Sequence, residues 1–517
     1  MDTPPETAAQ VDTAPTSLAA ELSAPTVTRA YQCQCGRPIF LGNSQCLACH
    51  TPLGFVIESL GVVPLAPVEA PASSSNGNGI DDQRGDVDGV ETNGTDDQGN
   101  DGNANNAPPI EPIDPALDTY TVFGDGNGRQ YHRCANFTTA AGCNWMVPLT
   151  REGDAPDAAG LVPGYCLCCS ATRTIPDLSL PANGELWRRL EQAKRRLMSQ
   201  LLALGLPVVT RHADAVHGLA FDFLSNMPGG PHVLTGHDTG VITLNAEEAE
   251  DAVRERIRAE MREPYRTLVG HFRHEIGHYY WDLLVFPTPW IDDFRALFGD
   301  ERLDYAGALR THYEMGPPAD WAVRFVTSYA SAHPWEDWAE TWAHYLHMAD
   351  TADTALSFGV DATRVELASD LFEPADLWQP DHPDAMKFLD FLNGWVRLTN
   401  VLNELSRSMG QPDYYPFVLP RAAVGKLQFV HQVITQQRQQ LAAPLETEQP
   451  VMVADNAPEP AQAPMQQQAQ QQQALPMQAC EAMAPAFQAE PVTRSVANRF
   501  RPMRKRAASS PQPGFSA

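Results

Sequence analysis

Two histidines four residues apart enclose a glutamate in the run His274-Glu275-Ile276-Gly277-His278. Four residues of α-helix turn through about 400°, so both imidazoles project from one helix face and can hold one metal ion. The glutamate lies beside them, where a carboxylate can act as a general base. Because this short pattern also occurs by chance, the hypothesis requires a further ligand elsewhere in the chain.

A second helical segment offers that ligand. A catalytic zinc ion takes three protein ligands and leaves one position open. In Tyr329–Met348, Glu336 and Glu340 share one helix face, and His344 and His347 follow. Two carboxylates and two imidazoles on a Trp- and Ala-rich helix are costly to bury unless they bind something. The spacing rules allow either Glu336 or Glu340 to be the third ligand.

Cysteines predict two further metal sites. Nine of the ten fall into two groups, while Cys480 stands alone. Closely spaced thiols in a chain that shows no signal sequence are typical of structural zinc sites rather than disulfides. The predicted ligands are Cys33, Cys35, Cys46 and Cys49 in the first site, and Cys134, Cys143, Cys166 and Cys169 in the second.

Two features of these groups leave alternatives open. Cys33 and Cys35 form a CxC pair, which is tighter than the usual zinc-ribbon knuckle, so His50 is a possible substitute donor. In the second group, Cys166 and Cys169 restore the CxxC spacing, which leaves Cys168 outside the site. Small modules of this kind lack a core, so zinc binding would supply most of their folding energy.

Periodic patterns place the candidate residues on helices. Leucines at three- and four-residue steps over residues 186–204 predict an amphipathic helix. The histidine pair should lie on a helix from Pro264 to Leu284, since proline suits a first turn. The run GVITLN at residues 240–245 predicts a strand, which at a sheet edge could pair with an extended peptide. Further helices are predicted at residues 321–332, 334–348, 383–402 and 422–439.

Shifts in composition divide the chain. Segments rich in Pro, Ala, Gln, Gly, Asn or Asp cannot bury enough apolar surface to offset the entropy of ordering them. We expect disorder in residues 1–28, in an acidic linker at 62–117 and in a Gln/Pro/Ala-rich tail at 442–517. Between them we expect a multidomain, mainly α (α+β) protein, with a zinc ribbon at 30–60, a second ribbon-like module at 120–175 and a helical domain at 177–437.

Charge and hydropathy exclude two classes of partner. The formal charge is −28, from 36 Lys and Arg against 64 Asp and Glu, so we expect no nucleic-acid partner. No apolar run approaches the ~18–20 residues that span a bilayer, and the first ten residues, MDTPPETAAQ, do not form a signal sequence. We therefore expect a cytoplasmic protein without a membrane partner.

Several phrases resemble known metallopeptidases. HEIGH followed by EDWAE looks like the gluzincins, which carry HExxH and a downstream ExxAE motif. More closely, the sequence is similar to a family of bacterial zinc-binding metallopeptidases with an N-terminal zinc ribbon. This resemblance covers about residues 30–60 and 120–437, and it rests on CQCGRPIF, CLACHTPLGF, CNWMVP, YRTLVGHFRHEIGHYYWDLL, FGDERLDYA and SAHPWEDWAETWAHYLHMAD.

The resemblance implies a zincin-like domain at residues 177–437 that hydrolyses peptide bonds. It makes His274, His278 and Glu336 the ligands of one catalytic zinc ion, beside the two structural zinc ions of the cysteine sites. Glu340 would then orient a ligating histidine through its other ring nitrogen.

Two residues would perform the chemistry that the resemblance implies. Glu275 would be the general base. Tyr329 lies where some gluzincins place a phenol that donates to the oxyanion, although a core tyrosine is an equal alternative. The partners would be a peptide or protein substrate and a protein bound through the zinc ribbons.

Two other functions stay open. A zinc-ribbon interaction protein could use a non-catalytic peptidase-like domain for binding, but the presence of Glu275 favours catalysis. Alternatively, the linker or the tail could reach the cleft and cause autoinhibition or self-cleavage.

Overall fold

The computed structural model describes residues 27–68, 119–149, 161–226, 232–261, 263–365 and 371–442. The disorder predicted for residues 1–28, 62–117 and 442–517 therefore falls almost entirely outside the described residues. One boundary differs, because residues 61–67 form a strand that buries Val62 and Leu65. The predicted linker consequently starts at least six residues too early, since the chain is still in this strand at Pro67.

Strands next to both cysteine groups build one antiparallel sheet. The strands are β1 (Tyr31–Gln32), β2 (Pro38–Ile39), β3 (Leu53–Val56), β4 (Gly61–Pro67), β5 (Thr119–Val122), β6 (Gln130–Arg133) and β7 (Met146–Pro148). The order in the sheet is β3-β4-β5-β6-β7, beside a separate β1-β2 hairpin. Phe55 and Trp145, one from each predicted module, stack with ring centroids 4.3 Å apart. The two predicted modules thus share a sheet and a core.

A second sheet precedes the histidine-bearing helix. Its order is β10-β11-β9-β8, with β8 (Thr172–Thr174), β9 (Ala220–Leu224), β10 (Gly236–Asp238) and β11 (Val241–Asn245). The predicted strand at 240–245 is therefore present as β11, but it lies inside the sheet. The condition for pairing with an extended peptide, a position at the sheet edge, is not met, because Thr239 and Gly240, both with positive φ, turn the chain back so that β10 pairs with its free side.

Helices make up most of the remainder. None in the described ranges is both long and apolar enough to cross a bilayer. They are α1 (Leu167–Ser170), α2 (Asn183–Ala203), α3 (Asp251–Glu260), α4 (Leu268–Tyr280), α5 (Trp290–Leu297), α6 (Tyr305–Met315), α7 (Trp321–Arg324), α8 (Pro334–Ser357), α9 (Ala385–Ser408) and α10 (Arg421–Ala442).

Several predicted helix boundaries are wrong: α8 ends at Ser357 instead of Met348, α9 ends at Ser408 instead of Leu402, and two others differ for local reasons. α4 begins at Leu268 instead of Pro264, because Thr267 is extended and its Oγ1 caps the helix by accepting from Gly270 N at 3.0 Å. The helix predicted at 321–332 ends at Arg324, since Phe325 is extended and the chain turns to bury Val326.

Ion pairs centred on the buried Asp350 connect α4, α8, α2 and the segment before the first cysteine group. Arg273, next to the first histidine, donates to Asp350 Oδ2 on α8 at 2.7 Å. Arg29, just before the first cysteine group, lies 3.2 Å from the other oxygen of Asp350 and is only 4% exposed. Asp350 is shared in addition with Arg196 on α2. The N-terminal segment is therefore tied to the two helices that carry the candidate site.

Candidate metal centre

Direct backbone contact with α8 fixes the position of α4. An added Cβ on Gly277 would lie 3.2 Å from Ala339 Cα, and Trp338 Nε1 donates to Gly277 O at 2.8 Å. On the same part of α4, the rings of His274 and His278 lie 5.0 Å apart. Residues in the first turns of α8 are consequently brought to the two imidazoles.

Glu336 faces both imidazoles. Its Oε2 lies 3.0 Å from His274 Nε2 and 3.7 Å from His278 Nε2. Zinc bonds of about 2.0–2.1 Å in a tetrahedral arrangement separate neighbouring donor atoms by about 3.4 Å. No hydrogen bond of good geometry reaches this buried oxygen from the described residues. The three residues therefore fit one zinc ion by both spacing and donor type.

Glu340 approaches the same histidine from the other side. Its Oε1 lies 2.7 Å from His274 Nδ1, and its Oε2 accepts from Thr327 Oγ1 at 2.7 Å. With Nδ1 engaged in this way, Nε2 of His274 is the nitrogen that faces Glu336. The geometry thus separates two glutamates that the sequence left as alternatives.

Opposing charges set the protonation of the centre. Burial opposes ionisation of Glu336, but the imidazoles of His278 and His274 outweigh it and hold the pKa of this carboxyl well below its usual value. Burial likewise disfavours a charged His274, yet Glu336 and Glu340 raise its pKa well above the usual value. The centre therefore attracts positive charge, which a divalent metal ion would supply.

Glu275 is almost fully enclosed, with 8% of its surface exposed. Burial raises its pKa to about 7, against the opposing effect of His274 and with support from Glu336. A carboxyl group with a pKa near neutrality can both accept and release a proton at neutral pH.

Two tyrosines from outside α4 and α8 border the centre. The ring of Tyr329 lies 5.9 Å from that of His274. Tyr305, the first residue of α6, donates its hydroxyl to Glu336 Oε1 at 2.5 Å across 31 residues of sequence. Sequence reasoning assigned no role to Tyr305, because no spacing rule links separate elements. Its only signal was its place in the phrase FGDERLDYA.

Four further histidines near the centre contact other protein groups. His271 Nδ1 lies 3.2 Å from Glu248, and His333 Nδ1 accepts from Trp335 N at the start of α8. His344 contacts the Tyr415 hydroxyl, and His347 contacts Arg273. These contacts suit structural roles.

Each cysteine group converges on one point. The Sγ atoms of Cys33 and Cys49 lie 3.6 Å apart, and those of Cys143 and Cys166 lie 3.7 Å apart. Zinc–sulfur bonds of about 2.3 Å place tetrahedral thiolates about 3.8 Å apart, whereas a disulfide requires about 2.05 Å. All described cysteines are free. The two clusters are Cys33, Cys35, Cys46, Cys49 and Cys134, Cys143, Cys166, Cys169.

Two further donors that the sequence offers do not belong to the clusters. Cys168 is fully buried and belongs to neither set, and His50 is not part of the first set. Cys480 lies outside the described residues.

Comparison with known proteins gives the family. Residues 183–433 match the family described as "Putative zinc-binding metallo-peptidase", and residues 30–84 and 102–180 match a zinc-ribbon domain. Uncharacterized proteins from two strains of Mycobacterium tuberculosis and from Mycobacterium bovis are each 45% identical over 302 residues, which cover 58% of this chain and 82% of each relative. No solved structure matches the chain. The chain therefore belongs to this zinc-binding metallo-peptidase family and carries a zinc-ribbon domain as well.

Proposed function

We propose that the protein is a zinc-dependent peptidase whose zincin-like domain, residues 177–437, hydrolyses peptide bonds. The observation that carries this proposal is the convergence of His274, His278 and Glu336 next to the buried Glu275. Two imidazoles and one glutamate are the protein ligands of the gluzincin type of catalytic zinc site.

Each residue of the centre would have a separate role in peptide hydrolysis. Zinc in this centre would act as a Lewis acid that polarises a carbonyl group and makes water nucleophilic. Glu275 would accept a proton from the attacking water and deliver it to the leaving amine. Tyr329 keeps its phenolic proton at neutral pH, because burial raises its pKa well above the usual value, so it could donate to the oxyanion. Glu340 would hold the ring of His274 in place.

The proposal also covers the zinc content, the cellular compartment and the partners of the protein. We infer one zinc ion in the centre and one in each cysteine cluster, and eight free thiols in such clusters favour the reducing cytoplasm. The partner in catalysis would be an extended peptide or protein. Phe40 and Leu47, which are 58% and 89% exposed beside the first cluster, offer apolar contacts to a protein partner.

Replacement of Glu275 by Gln tests the proposal. We expect zinc content equal to that of the wild type, together with at least a hundredfold loss of cleavage of a peptide library analysed by mass spectrometry. Glu260→Gln, which changes an exposed glutamate of α3, is the matched control and should cleave normally.

Equal cleavage by Glu275→Gln and wild type would refute the role of this base. A wild-type protein that holds zinc in the centre but cleaves no member of the library would instead support the non-catalytic interaction protein.

A further inference from the structure

We propose that Tyr305 is a positioning residue that fixes the third ligand of the metal centre, an inference that rests on the proposed zinc site. The Tyr305 hydroxyl donates to Glu336 Oε1 at 2.5 Å, while Glu336 Oε2 faces the two imidazoles. A separation of 2.5–2.7 Å is typical of a charge-assisted bond from a hydroxyl to a carboxylate. One carboxylate oxygen is thus occupied by the phenol, and the other is directed toward the metal position.

The burial of Glu336 gives this contact its importance. Only 1% of this residue is exposed, so water cannot replace a lost donor at Oε1. Without the phenol, the carboxylate could rotate and present either oxygen, or both, to the histidines. Such loss of orientation weakens metal sites, because the ligand must be ordered at the moment of binding.

Tyr305 is itself held by the start of α8. His333 Nδ1 accepts from Trp335 N, so its proton lies on Nε2, which donates to Leu303 O at 3.3 Å. The Tyr305 ring also lies 5.1 Å from the His333 ring and 5.9 Å from the Trp335 ring. These ring contacts do not need the hydroxyl, so Tyr305→Phe removes one donor and keeps the packing.

Zinc retention measures the effect without reference to activity. The zinc-loaded full chain is titrated with a competing chelator, and bound zinc is counted per chain. We expect Tyr305→Phe to lower the zinc affinity of the centre by about 10- to 100-fold and to leave the two cysteine clusters unchanged. Tyr414→Phe, which alters a tyrosine that is 64% exposed, should behave like the wild type.

Three results would overturn either this positioning role or the zinc site on which it rests. Wild-type zinc affinity in Tyr305→Phe overturns the positioning role and leaves the peptidase proposal intact. Absence of a third zinc ion from the wild type overturns the proposed centre itself. A loss of zinc from Tyr305→Phe that is as large in the two cysteine clusters as in the centre would show a general structural role, and would also overturn this inference.

Discussion

Nδ1 of His274 lies 2.7 Å from Oε1 of Glu340, on the side of the ring away from the metal position. The contact shows how one helix can carry two carboxylates, four residues apart, with different tasks. Glu336 directs an oxygen toward both imidazoles, and Glu340 contacts the opposite nitrogen of the His274 ring.

Substitution of the two glutamates should therefore give different results. Glu336→Ala removes a ligand atom, so we expect one fewer zinc ion per chain. Glu340→Ala removes only the partner of His274 Nδ1, so at saturating zinc the content should stay normal while affinity falls about 10- to 100-fold. Elemental analysis and chelator competition measure both. The reverse pattern would assign Glu340 as the ligand.

Gly277→Ala tests the contact that brings α4 and α8 together. The new methyl group would lie 3.2 Å from the Ala339 backbone and from the buried Trp342 ring. Overpacking of this kind costs about 1–3 kcal/mol, against a gain in helix propensity of up to about 1 kcal/mol. We expect a net loss of unfolding free energy in urea. Gly184→Ala, where the methyl group would meet only Ala140 at 3.5 Å, is the control and should be neutral or stabilising.

The second cysteine cluster should stabilise the domain that carries the metal centre. Cys134, Cys143 and Cys166 share one continuous core with Leu190 of α2, which in turn packs beside α4. Cys166→Ala should therefore lose one zinc ion and lower the melting temperature of the whole domain. Cys168→Ala is the matched control, because its thiol belongs to neither cluster, and it should keep the wild-type zinc content.

Buried histidines should make the fold sensitive to acid, as His431 illustrates. Burial, helped by the nearby His382 and opposed by Asp384, lowers its pKa to about 4, while Tyr345 contacts Nδ1 at 2.9 Å. Above about pH 6.5 the ring is neutral in both folded and unfolded chains. As the pH falls below this value the unfolded chain binds the proton first, so stability decreases until the folded ring is also protonated near pH 4.

His431→Asn should reduce that sensitivity. An Asn amide can still contact the Tyr345 hydroxyl but does not titrate. Between pH 8 and pH 5 the wild type should lose on the order of 1–2 kcal/mol more unfolding free energy than the variant. Urea unfolding at both pH values measures the difference, and parallel losses would exclude this histidine as a cause.

Some of these features follow from local sequence. The four-residue spacing of His274 and His278 puts both rings on one side of any helix, and helical geometry does not depend on the rest of the chain. The resemblance to a zinc-binding metallopeptidase family, first seen in short phrases, is confirmed by the family match. Helix α8 began at the predicted Pro334, since proline at the first turn is a local signal.

Other features depend on contacts between distant segments. Residue spacing does not show whether Glu336 or Glu340 faces the two imidazoles, because both glutamates lie on one face of α8. The position of each glutamate follows from the close approach of α4 to α8, where Gly277 meets Ala339. Tyr305 could not be found, since its hydrogen bond joins two helices with no shared periodicity. The chain's sequence determined which groups could bind metal, whereas the packing of α4 against α8 decided which atoms meet.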